Sequence, residues 1–176
     1  MMVAGPSPGR RPAPLGRWAA LLHAATALLE RIPHDLSALL ARLSIAGVFW
    51  RSGQTKVEGF ALDPLAGRLE LGWPRLGAFT VDLFRDEYRL PVLPAELAAY
   101  LATTAEHLFP PLLVLGLGTR FAALALLAMT LVIQLFVYPD AWPTHGTWAV
   151  ALLYLAARGP GRLALDPWLG RHRTTA

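Results

Sequence analysis

The sequence has 176 residues, enough for one compact domain; 55% are hydrophobic and only 16% charged, against about 25% in an ordinary soluble domain, so the chain reads as a membrane protein. A net charge of +4 and a pI near 10.1 invite nucleic acid as a partner, but no Lys/Arg cluster alternates with stacking aromatics, and the excess reads as orienting charge beside a bilayer. There are no cysteines, which excludes disulfides, thiolate metal sites, iron–sulfur ligation and a Cys nucleophile, so any redox chemistry must use a bound cofactor or a partner.

Residues 1–14 are basic and rich in Pro and Gly, the composition of a disordered tail. Residues 15–33 follow with Leu15, Trp18, Leu22 and Leu29 at helical spacing, interrupted by Arg17, His23, Glu30 and Arg31. This pattern predicts an amphipathic helix lying in the membrane interface. The rival reading is a signal peptide, with small residues around Ala24–Ala27.

Four spans are expected in the domain over residues 34–170: about 36–53, 94–118, 120–138 and 144–158. The last is short, since fifteen residues reach only about 22 Å at 1.5 Å per residue. The connection from about 54 to 93 is long for such a bundle and holds FTVDLFRDEY, whose apolar spacing predicts a short helix over the outer mouth. The expected fold is therefore all-α: a transmembrane four-helix bundle with an N-terminal interfacial helix and a partly helical outer loop. With both termini in the cytoplasm, ten basic residues fall inside and six outside, as the positive-inside rule prefers. That makes the chain a multi-pass membrane protein.

The second span carries the most informative polar residues. Glu106 and His107 lie inside it, and Pro110 and Pro111 remove the amide hydrogens that would satisfy their carbonyls. Hydrocarbon satisfies neither group, so an inward-facing polar pocket is expected, with a kink beside it. Arg51 and Lys56 end the first span, and Arg42 sits near its opposite end. Thr130, Gln134 and Tyr138 recur at steps of four on the third span, and His145 opens the fourth beside Trp142 and Trp148. Glu106 is accordingly expected to pair with Arg51 or Arg42, with His107, Gln134, Tyr138 and His145 lining a cavity open to the outer side. A bland reading stands beside this one: a Glu–Arg tie that holds helices, His107 as interhelical glue, and Trp73, Trp142 and Trp148 as interface anchors. His107 and His145 differ too much in depth for a shared metal. A quinone site, with a His or Tyr donor beside an apolar slot, suits these residue types better.

ARLSIAGVFWRSGQTKVEGF, AEHLFPPLLVLGLGTRFAALAL and ARGPGRLALD together resemble the DoxX family of four-helix bacterial membrane proteins. The resemblance rests on Arg42, on Gly53 and Lys56, on Glu106 with Gly116 and Arg120, and on Gly159 through Arg162 with Asp166, and runs from about 36 to 169. It implies a subunit of a bacterial inner membrane accompanying redox or detoxification proteins, by likeness to a subunit of a thiosulfate:quinone oxidoreductase. Some redox relatives use cysteine pairs, and this chain has none.

Two classes of function follow. In the first, the chain is a quinone- or redox-associated subunit of a membrane oxidoreductase. Glu106 and His107 are then a proton-handling pair, and Arg51 or Lys56 stabilises an anionic partner. In the second, it is a non-catalytic membrane anchor that works with partner proteins or as a homo-oligomer. A small-solute carrier is a third class, for which four spans without a repeat offer little machinery.

Overall fold

A computed structural model describes residues 16–63 and 67–171. The expected tail, residues 1–14, lies outside the described residues. The chain divides into two units, 1–33 and 34–176. The described part of the first is helix α1 (Arg17–Leu29), where Trp18, Leu21, Leu22, Leu28 and Leu29 are all exposed.

The second unit is built on four long helices. These are α2 (His34–Gln54), α4 (Ala95–Leu115), α5 (Thr119–Val132) and α6 (Trp142–Arg158). Helix α2 packs on α4 and α6, and α5 packs on α4 and α6. Helix α4 runs through Pro110 and Pro111 without ending, and closes at Gly116 in the left-handed region. Helix α5 continues as a π-helical turn, Ile133–Val137, followed by a 3-10 turn, Pro139–Ala141. Helix α6 starts at Trp142, two residues earlier than the pattern predicts. A short helix α7 (Asp166–Arg171) ends the described chain.

The packing inverts that of a water-soluble bundle. Much of the buried surface comes from small side chains (Ala38, Ala46, Ala98, Ala99, Ala122, Ala123), and Arg42, Lys56 and Glu106 are buried among them. Leu40, Leu43, Leu101, Leu108, Phe121, Leu124, Leu131, Leu135 and Leu153 point outward. Soluble monomers rarely expose so continuous an apolar surface, whereas helices in lipid pack through small residues and keep their polar groups inside. The segment Thr119–Val137 is long and apolar enough by itself to cross a membrane, with a mean hydropathy of 2.1.

The connection between α2 and α4 departs from the expectation. It begins as an antiparallel hairpin, β1 (Val57–Asp63) and β2 (Arg68–Leu76), with an irregular register at Glu58/Phe60. Only then comes the predicted helix, as α3 (Ala78–Asp82) and a π-helical turn, Leu83–Tyr88. The described chain is thus mostly helical, with one two-stranded sheet that the helical reading missed.

Candidate functional site

Glu106 lies on the buried stripe of α4, with Ala98, Ala99, Thr103, Pro110 and Leu113. The buried stripe of α2 runs Ala38, Arg42, Ile45, Ala46, Phe49, Gly53, and one further step reaches Lys56. The two helices are in close contact at Gly53, where a Cβ would stand 2.9 Å from the Glu106 Cβ and from the His107 Cε1. The missing side chain lets the neighbouring polar groups converge. Ser52 Oγ donates to Glu106 Oε1 at 2.8 Å, and Lys56 Nζ lies 3.0 Å from Oε1 and 2.9 Å from Oε2. Lys56 also donates to Ser52 Oγ at 2.9 Å and to the Ser52 carbonyl at 3.2 Å. Only the Oε1 contact has hydrogen-bond geometry, so Oε2 holds the charge of Lys56 but no hydrogen bond among the described residues.

Neither expected arginine partner is there. Fourteen residues separate Arg42 from Lys56, about 21 Å along a helix, so Arg42 sits at the other end of the bundle. Its guanidinium is buried and donates to the carbonyls of Val114 (2.9 Å), Pro160 (2.9 Å) and Leu163 (2.8 Å). The proposed Arg42–Glu106 tie is therefore replaced by Lys56–Glu106. Arg51 falls off the buried stripe, and its exposed side chain lies 3.9 Å from Asp63.

The Lys56–Glu106–Ser52 cluster forms part of the wall of an otherwise largely apolar cavity of about 340 Å³. Phe49, Phe84, Met129 and Trp148 supply apolar wall, and Tyr88, Tyr138 and His145 supply polar groups. Both π-helical turns border it, through Phe84 and Tyr88 and through Ile133 and Val137. Such turns recur at functional sites because they re-aim side chains. Gln134 does not line the cavity but fixes a residue that does. Its amide nitrogen donates to the Pro139 carbonyl at 2.6 Å, which leaves Oε1 to face His145 Nδ1 at 2.7 Å. Nδ1 must then carry the hydrogen, and a neutral His145 keeps a lone pair on Nε2. Tyr138 donates its phenol hydrogen to Glu87, and its ring meets Tyr88 edge-on at 5.8 Å. Burial pushes the Tyr88 phenol above its usual range, and the carboxylates of Glu106 and Glu87 add to the shift.

His107 is adjacent in sequence but about 100° away around the helix, and it lines a different recess. Its Nδ1 faces the Thr103 carbonyl at 2.8 Å and its Nε2 faces the Gln54 amide nitrogen at 3.0 Å. Gln54 Oε1 in turn accepts the Leu62 amide hydrogen at 2.6 Å. A neutral imidazole with hydrogen on Nδ1 satisfies the whole chain, which ties α2, α4 and β1 together. Glu106 and His107 therefore do not meet as a pair.

The opposite end of the bundle accounts for Arg42, Gly116 and Asp166 of the sequence signature. Asp166 accepts the Gly118 and Thr119 amide hydrogens at 2.7 and 3.0 Å, capping the start of α5. Asp35 accepts the Arg162 amide hydrogen at 2.7 Å. At Gly116, φ is +67°, and a Cβ would lie 2.4 Å from the Ala164 Cβ and 2.8 Å from Arg42 Nη1. Arg42, Gly116 and Asp166 thus form a clasp that closes the chain ends of α4, α5 and α6.

A helical bundle with leucines outside and charges inside belongs among membrane proteins. The chain belongs to the DoxX family, whose model matches residues 37–139. The closing Gly159–Asp166 motif falls outside the matched segment. A relative from Haemophilus influenzae, described only as an uncharacterized protein, is 27% identical over 146 residues, spanning 78% of this chain and 86% of the relative. No solved structure matches the chain.

Proposed function

We propose that the chain is a four-span protein of the bacterial inner membrane, with α2, α4, α5 (together with its π-turn) and α6 as spans and both termini in the cytoplasm. Helix α1 lies in the inner interface, and the cavity beside Glu106 opens toward the outer leaflet. In this reading the chain is a quinone- or redox-associated subunit that works with partner proteins. The supporting observation is a buried, hydrogen-bonded cation–carboxylate cluster set in the wall of an otherwise apolar cavity. Small-molecule pockets have this form: mostly apolar wall with a few convergent polar groups.

A quinone-type ring fits the donor and acceptor set. Lys56 contributes its positive charge, its three hydrogens being already shared between Ser52 and Glu106, His145 Nε2 offers a lone pair, and Phe49 and Trp148, edge-on to each other at 5.6 Å, supply aromatic wall. A bound quinone would supply two-electron chemistry that cysteine-free residues cannot. The chain's own part is to orient the ring, exclude water and hold the Lys56–Glu106 pair at the cavity wall. The expected roles narrow accordingly: of the two expected charged contacts Lys56 stays and Arg51 drops out, and His107 leaves the proton-handling pair.

A second reading, a non-catalytic anchor, gains from the saturation of His107 and the mutual pairing of Lys56 and Glu106. Titration of the purified protein with a short-chain quinone separates the two. The redox reading predicts saturable binding that Ala105→Phe blocks, because Ala105 lines the cavity. Absence of saturable binding supports the anchor.

A further inference from the structure

A second recess lies on another face of the bundle and shares no lining residue with the Glu106 cavity. Its upper part, about 730 Å³, lies between the hairpin and α4; its lower part, about 550 Å³, lies between α2 and α4. Trp50 and Pro111 wall both parts, so the two are neighbours along α4. From Tyr100 to Leu115 the groove follows fifteen steps of α4, about 22 Å, most of the ~30 Å hydrocarbon thickness. That length suits a chain rather than a compact ring.

The lower part is walled by Leu43, Ala46, Gly47, Pro110 and Val114, with no polar side chain except the indole of Trp50. A Cβ added at Gly47 would meet nothing within 4 Å, so the groove is open there. Trp50 is held in place by its Nε1 bond to the Leu62 carbonyl at 2.8 Å and by the His107 ring, 5.3 Å away. The upper part has a different character. Tyr100, Thr103, Thr104 and Arg75 line it, with no carboxylate among them. Arg75 has no ion-pair partner among the described residues, and the Thr103 hydroxyl has no hydrogen-bond partner. The two nitrogens of His107 are already used. The polar end therefore offers one unpaired cation and several hydroxyl donors, which is complementary to an anionic oxygen-rich group. The strand that roofs it exposes Leu69 and Leu71, and Trp73, 86% exposed, borders the recess itself, as a surface in contact with lipid would.

We propose that this groove holds one molecule of an anionic, phosphate-headed membrane lipid. An acyl chain lies along Ala46, Gly47 and Pro110, and the headgroup sits under β2 at Arg75. The lipid fills the space between hairpin and helices that the protein leaves open, and the hairpin is built to cover it.

The test uses the full chain, stripped of lipid in a neutral detergent and titrated with phosphatidylglycerol or with phosphatidylcholine carrying the same chains. Bound molecules are counted by native mass spectrometry. One phosphatidylglycerol is expected to bind roughly tenfold more tightly than those that follow. Gly47→Leu fills open space and removes that tight site while the lipid-free unfolding temperature stays put. Val114→Trp narrows the same groove from α4 and does likewise. Arg75→Gln keeps a lipid but lowers the preference for phosphatidylglycerol about fivefold, the worth of one arginine at a membrane surface. Equal lipid counts in wild type and in both filled variants overturn the site. Equal affinity for the two headgroups overturns the anionic assignment, and displacement of the lipid by a short-chain quinone overturns the choice of occupant.

Discussion

Replacing Lys56 with Met keeps the length of the side chain and removes its charge. Lys56 is the cation 2.9 Å from Glu106 Oε2, both side chains are almost fully buried, and the carboxylate would be left with the Ser52 hydroxyl alone. Removing one partner of a buried pair costs about 3–5 kcal/mol, because the other charge stays in a poor solvent; an exposed pair costs about 0–1 kcal/mol. At about 2–4 °C per kcal/mol for a chain of this size, the unfolding midpoint should fall by roughly 10 °C. Adding Glu106→Leu should recover most of the loss, since apolar replacement of a whole buried pair is often neutral or stabilising. Thermal unfolding of the four proteins in one detergent, followed by tryptophan fluorescence, gives the coupling energy of the pair. A Lys56→Met midpoint within about 1 kcal/mol of wild type, or a double variant no better than the single one, would refute a desolvated pair.

At the other end of the bundle, Arg42→Met leaves three carbonyls without their donor, and stability should drop by several kcal/mol at about 1–3 kcal/mol per buried group, with quinone binding unchanged in the fraction that folds. Gly116→Ala introduces a side chain at φ +67° and against Ala164, and should lower the unfolding midpoint further than Gly118→Ala, where a Cβ meets nothing within 4 Å. His107→Phe breaks the chain that runs through Gln54 to β1, so amide exchange at Leu62 should accelerate, while binding in the Glu106 cavity stays within about twofold. The raised pKa of Tyr88 means that its contribution to stability is complete below pH of about 10, the unfolded value, and is lost as pH rises toward the folded one; Tyr88→Phe should flatten that alkaline loss in a pH series of unfolding midpoints.

The helices were legible because each has a long apolar run with clear stops, and Glu106 was legible because a carboxylate in such a run has to turn inward. Its partner was harder to read. Arg51 and Lys56 sit five residues apart near the end of α2, and only the phase of the buried stripe through Arg42, Ala46, Phe49 and Gly53 selects Lys56. That phase was available in the sequence. The distance between Arg42 and Glu106 was not, because it depends on how far α4 rises past α2. The division of Glu106 from His107 follows from one residue's rotation, yet the two read as a pair because they are neighbours and share the effect of the prolines. The hairpin escaped notice although RLELGW alternates in polarity: the pairing is interrupted at Gly59, and the outward Leu69, Leu71 and Trp73 carry no soluble strand pattern. The clasp residues were recognised as a resemblance before any reason for them was visible, and their reason is structural: carbonyls and amide hydrogens at helix ends that lipid cannot satisfy.

Photolabelling with a short-chain azido-quinone, mapped by peptide mass spectrometry, bears most directly on the role of the Glu106 cavity. Label concentrated on α4 and α6 residues of that cavity, such as Ala102, Ala105 and Trp148, and abolished by Ala105→Phe, is the expected result. Label spread over the outward-facing leucines, unchanged by that substitution, would contradict a quinone-binding cavity and leave the buried pair with a purely structural role.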